Sequence, residues 1–104
     1  MKGINYLEIM YKDDYYPDFL VDKIKVLLEE VVQYLEQGSH SLEEIQEKFD
    51  TITLAINDLE DAFYEHNSEL ETVARDSIAE TVIAILQAYD IAIDVEEALR
   101  EREW

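Results

Sequence analysis

The sequence contains no cysteine, one proline and two glycines in 104 residues. Without cysteine there is no disulfide, no thiolate nucleophile and no cysteine-held zinc, and a reducing cytoplasm is the compartment such a chain suits. With only Gly3, Pro17 and Gly38 as breakers, long stretches run uninterrupted, which favours helices. Bases are scarce as well: eight Lys and Arg face 26 Asp and Glu, a formal net charge of −18. Phosphate backbones and anionic lipids are held by clustered bases, so neither direct nucleic-acid binding nor membrane binding is expected. The longest apolar stretch, near residues 78–93, is interrupted by Glu80, Gln87 and Asp90 and is too short and polar to span a bilayer. Residues 1–6 lack the apolar centre of a secretory leader.

What the chain does have is apolar content. Hydrophobic residues make up 48%, with seven Tyr, three Phe and one Trp, which argues against disorder. The length fits one domain over residues 1–104 and leaves no room for a second core.

The periodicity predicts an all-α fold, an antiparallel bundle of three long helices with short N- and C-terminal helices. A short helix is expected over 4–12, then a turn through Asp13, Asp14, Tyr15 and Tyr16. Pro17 suits the first position of a helix running to about Gln37, with Leu20, Ile24, Leu27, Val31 and Tyr34 on one face and Leu28, Val32 and Leu35 widening it. Gly38 is expected to end it in the left-handed conformation. Ser41 and Glu44 have the spacing of a capping box. Behind it Leu42, Ile45, Phe49, Ile52, Ile56, Leu59 and Phe63 step by three and four without a miss, the seam of a helix packed along a neighbour. Residues 51–57 carry no charge, and Leu54 points away from the seam, so another surface is expected over that side.

Ser68 and Glu71 repeat the capping-box spacing and open a third long helix to about Tyr89 or Asp90. Between Ser77 and Tyr89 only Glu80 is charged, and apolar residues occupy most of the circumference, which predicts a central helix touching both earlier long helices and the terminal segments. A last helix is expected over 95–102, with Asp94 as N-cap and Arg100 and Arg102 near its negative end.

Few constellations suggest chemistry. Asp76 and Glu80 lie four apart on one helical face, a repulsive spacing that a hard divalent cation would relieve. They are the metal candidates; solvated surface acids are the plainer reading. The Glu43-Glu44-x-x-Glu47 run resembles the helix acids of all-α nucleotide pyrophosphatases, but the paired Glu-x-x-Asp on a later helix is missing. Glu71 and Arg75 have the spacing of a favourable ion pair. His40 and His66 stand at helix junctions, and His66 suits a helix C-terminus. No serine has histidine and acid partners in a nucleophile motif. Tyr6, Tyr11, Tyr15, Tyr16 and the terminal Trp104 either cap the bundle or form a recognition patch, since such rings serve both ends.

The segments Tyr6-Leu7-Glu8-Ile9-Met10-Tyr11, Asp14-Tyr15-Tyr16-Pro17, Leu20-Val21-Asp22-Lys23, Ser68-Glu69-Leu70-Glu71-Thr72-Val73-Ala74-Arg75 and Arg102-Glu103-Trp104 resemble a family of small bacterial helical proteins catalogued only as a domain of unknown function. The resemblance spans almost the whole chain in order. It implies a bacterial origin and brings no activity, cofactor or functional residue with it.

The function expected from the residues is a non-enzymatic acidic module that binds another protein, a basic one by charge. Residues 42–71 hold ten acids and one base, net −9, half the charge of the chain. Such a concentration suits an inhibitor that mimics nucleic acid or works as an immunity protein does. Leu54, Tyr11, Tyr15, Tyr16 and Trp104 are the contact candidates. The alternatives are a metal-dependent hydrolase using helix carboxylates, Asp76 and Glu80 among them, and a homodimer formed through Leu54. No cofactor is expected.

Overall fold

The computed structural model describes residues 3–104, so Met1 and Lys2 of the opening stretch lie outside it. The described chain is all helical: α1 Glu8–Lys12, α2 Asp18–Glu36, α3 Leu42–Glu65, α4 Thr72–Ala88 and α5 Val95–Ala98.

α1 is shorter than its pattern suggests because the chain enters it through Leu7 in the left-handed region, at φ 54° and ψ 36°. That backbone stops the helix from extending toward Ile4. Leu7 is held there by burial and by its N–H, which donates to Thr81 Oγ1 on α4 at 3.1 Å.

α2 begins one residue after Pro17, which occupies the N-cap and not the first helical turn. Its buried face is Leu20, Val21, Ile24, Leu28, Val31 and Val32, while Leu27, Tyr34 and Leu35 flank it half-buried. Gly38 has φ 151°, so the exit from α2 uses a glycine-favoured conformation other than the left-handed helical one.

The first capping box forms. Ser41 Oγ accepts the Glu44 N–H at 3.1 Å and Glu44 Oε1 accepts the Ser41 N–H at 2.9 Å. This backbone bond, followed by the Ser41 hydroxyl, holds the Glu44 carboxyl below its ordinary pKa. The seam is buried at Ile45, Phe49, Ile52, Ile56 and Phe63, with Leu59 half-buried. Leu42, its first expected member, is exposed, because it sits in the opening turn beyond the end of the packed face.

The second capping box does not form. Asn67, at φ 61°, reverses the chain after α3; its N–H donates to Tyr64 O, and the Ser68 N–H donates to Phe63 O at 2.9 Å. This is a Schellman closure, and Ser68 is its last residue. The Ser68 hydroxyl is buried without a partner, Leu70 turns into the core, and α4 starts at Thr72 with no side-chain cap. The C-terminus of α4 closes the same way around Asp90, at φ 52°, with the Ile91 N–H on Leu86 O at 2.9 Å.

α4 is buried along one side only. Ala74, Ser77, Ile78, Thr81, Val82, Ile85 and Leu86 are buried, while Val73, Glu80, Ile83 and Gln87 are exposed. Its closest backbone neighbours are α1 and α5, whereas α2 packs closest to α3. The terminal segments thus pack on α4 as expected, and its buried residues belong to one core with those of α2 and α3. α5 stops after four residues, and residues 99–104 continue as a turn and an extended tail. The core is continuous from Leu7 to Trp104, and the radius of gyration of 13.2 Å is that of a folded chain of this length.

Candidate functional site

α3 presents three strips along its 24 residues. The first is the buried seam. The second, Gln46, Asp50, Thr53 and Asn57, is covered by the C-terminal segment. Gln46 Nε2 donates to Glu97 O at 2.9 Å, Asn57 Nδ2 donates to Glu101 O at 2.8 Å, and the Glu103 N–H donates to Asn57 Oδ1 at 3.0 Å. Arg100 grips Asp50 with two parallel bonds, Nε to Oδ1 at 3.1 Å and Nη2 to Oδ2 at 2.7 Å. Burial opposes the charge on Asp50, but the bonds from Arg100 and Gln46 outweigh it and leave its pKa below the ordinary value. Thr53, fully buried, satisfies its hydroxyl on Phe49 O. Thr53 and Asn57 of the uncharged stretch at 51–57 thus belong to the strip under the tail.

The third strip is open. Glu43, Glu47, Thr51, Leu54, Asp58, Asp61 and Glu65 follow one another at helical spacing, and all are exposed. Leu54 is 49% exposed at its centre. The strip holds five acids and no base. The α3 lysine, Lys48, turns toward α2, its Nζ 5.8 Å from the centre of the Tyr34 ring. Between Glu47 and Asp58 lies an uncharged gap of about 16 Å at 1.5 Å per residue, with Thr51 and Leu54 inside it.

The other contact candidates are scattered. Tyr15 is 40% exposed and meets Tyr16 edge-on, at 5.0 Å between ring centres. Tyr16 itself is buried and packs edge-on against Phe63. Both therefore sit near the end of α3, about 14 Å along the axis from Leu54. Tyr11 is half-buried, and its hydroxyl is tied to Asp22 at 2.5 Å; burial, then that carboxylate, raise its pKa. Trp104 is 9% exposed and belongs to the core. As contact surfaces, Tyr16 and Trp104 are corrected to packing residues, because both rings are buried in the apolar core.

Asp76 and Glu80 are exposed on α4 and open onto different clefts. Asp76 lines one with Arg102 and Trp104, and Glu80 another with Asn5 and Glu8. Among the described residues, no group of three or more histidines and acids is placed to hold a metal ion. The Glu71–Arg75 pair is not made either; Arg75 Nη2 donates to Thr72 Oγ1 at 3.2 Å instead. The residues that anchor the C-terminal segment, Gln46, Asp50 and Asn57, lie on a line that the sequence shows: polar groups at 46, 50, 53 and 57 step beside the seam.

Among the described residues, no helix is long and apolar enough to cross a membrane. No curated protein and no solved structure matched the chain. A family model does, over residues 1–104, and the chain belongs to that family, described as a family of unknown function, DUF5713.

Proposed function

We propose that this protein is a non-enzymatic interaction module whose open α3 strip receives a basic, amphipathic segment of another protein. The carrying observation is the exposed Leu54 inside an uncharged gap, with Glu43 and Glu47 on one side and Asp58, Asp61 and Glu65 on the other. Apolar contact at the centre gives affinity, and acids at the rim give steering and register. In this reading the three long helices run antiparallel and hold the strip rigid. Short connections support that arrangement, as do the Phe19–His66 ring contact at one end of the α2–α3 pair and the stacked Tyr34–His40 rings at the other.

The partner segment carries bases in two clusters about 16 Å apart, three turns of helix, around an apolar centre. A helical peptide of that design tests the reading by fluorescence anisotropy. Binding should saturate, weaken with salt, and fall at least tenfold in Leu54→Asp. Burying what remains exposed of Leu54 is worth about 1 kcal/mol, and a desolvated aspartate adds a penalty. The substitution makes the protein more acidic, so simple charge attraction predicts the opposite sign. Unchanged or tighter binding by Leu54→Asp would overturn the proposal, as would no binding of the peptide.

A further inference from the structure

Arg75 is a cation without an anion in a chain of 26 acids. No described carboxylate lies within ion-pair distance of it. Its bond to Thr72 Oγ1 holds the guanidinium over the first turn of α4. Thr72, Arg75 and Asp76 there form one wall of a cleft of roughly 240 Å³, and Glu96, Arg102 and Trp104 form the other. Asp76 is exposed and likewise has no ion-pair partner among the described residues. Successive residues of a helix diverge by about 100°, so Arg75 and Asp76 do not neutralise each other. Arg102 commits Nη2 to Glu96 at 3.1 Å and keeps further N–H donors. α4 has no side-chain cap, so the N–H groups of its first turn have no side-chain acceptor. Trp104, nine-tenths buried, has an Nε1–H with no acceptor.

The geometry points to a binding site for a small zwitterion of amino-acid size. The ligand's carboxylate meets Arg75 and the first turn of α4, and its ammonium meets Asp76. A plain anion is disfavoured by the field of a −18 protein, and a plain cation meets the two guanidinium groups. A ligand carrying both charges satisfies both unpaired residues. The cleft is smaller than the about 300–1,000 Å³ typical of drug-sized sites, a size that suits a ligand of few atoms. The site shares no residue with the α3 strip, so either proposal stands or falls without the other.

Trp104 is the sole tryptophan and reports on the cleft directly. The twenty standard amino acids, acetate and methylammonium are each titrated at constant ionic strength, following the indole N–H resonance. At least one amino acid should shift it saturably, with a midpoint at least tenfold below those of acetate and methylammonium. Arg75→Gln and Asp76→Asn should each raise that midpoint at least tenfold while melting like the parent, since both residues are exposed. Lys23→Gln, the same charge change as Arg75→Gln at an exposed α2 position, should leave it unchanged. No saturable response to any amino acid, a midpoint shared with acetate, or an equal loss in Lys23→Gln would each overturn the proposal.

Discussion

Asn67, Asp90 and Leu7 share a left-handed backbone, at φ 61°, 52° and 54°, but not the same reason for tolerating it. Asn67 and Asp90 are exposed and serve only to close helices. Glycine removes their steric penalty, offset in part by the entropy it adds to the unfolded chain. Asn67→Gly and Asp90→Gly should therefore each raise stability by about 0.5 kcal/mol in urea unfolding. Leu7 is buried, so the same change there should lower stability by about 2 kcal/mol, because the lost side chain outweighs the relieved strain. Titration separates two acids of α3 in the same way. Burial, then the neighbouring Glu103 and Asp61, raise the pKa of Glu60. An acid raised in the folded state opposes folding when ionised, and that opposition fades as the pH falls through its folded value toward the unfolded one. Glu60→Gln should thus stabilise the protein at pH 7 and make no difference near pH 3, as read by denaturation at both. Asp50 runs oppositely: its lowered pKa stabilises above the unfolded value and is lost as acid protonates it.

The two Ser-x-x-Glu boxes look alike in sequence and behave differently as elements. Ser41 caps α3 in both directions, so Ser41→Ala should cost about 1 kcal/mol. The Ser68 hydroxyl is buried and unpartnered, so Ser68→Ala should leave stability unchanged or raise it, a contrast that thermal denaturation of the two variants settles. The box is a local pattern, and what decides its use is the turn before it: Asn67 spends Ser68 on closing α3, and Leu70 then leads inward. What the sequence made legible followed the same rule. The α3 seam from Ile45 to Phe63 and the outward direction of Leu54 are consequences of helical period and appear as read; Leu42, at the helix start, is the exception. The tail was hidden because its anchors join positions far apart, Gln46 to Glu97 and Asn57 to Glu101, mostly through backbone groups that no side-chain pattern announces. Trp104 was ambiguous for a related reason: a terminal residue has no periodicity around it to tell inside from outside. The apolar stretch of α4 said how much surface is covered and not by what; α1 and α5, too short for their periodicity to be read, are its closest backbone neighbours.

At the scale of the whole molecule, the charge of −18 acts on the fold and on the proposed partner with opposite signs. The described residues form four ion pairs, three of them made by Arg100 and Arg102 on the tail side, so most acids repel one another without local relief. Compacting the chain brings those charges together, and salt screens them over a Debye length of about 10 Å at 0.1 M. Raising salt from about 10 to 150 mM should therefore raise the melting temperature by about 5 °C, on the order of 1 kcal/mol for a domain of this size. The same screening should slow association of a basic partner segment with the α3 strip and leave its dissociation, set by the apolar contact at Leu54, little changed. Leu54→Asp separates the two effects. It should speed dissociation at every salt concentration while the salt dependence of melting stays as in the parent, because one added charge on an exposed position changes the total field little. A melting temperature indifferent to salt would show that self-repulsion does not limit this fold; salt-dependent dissociation would show that the strip holds its partner by charge alone.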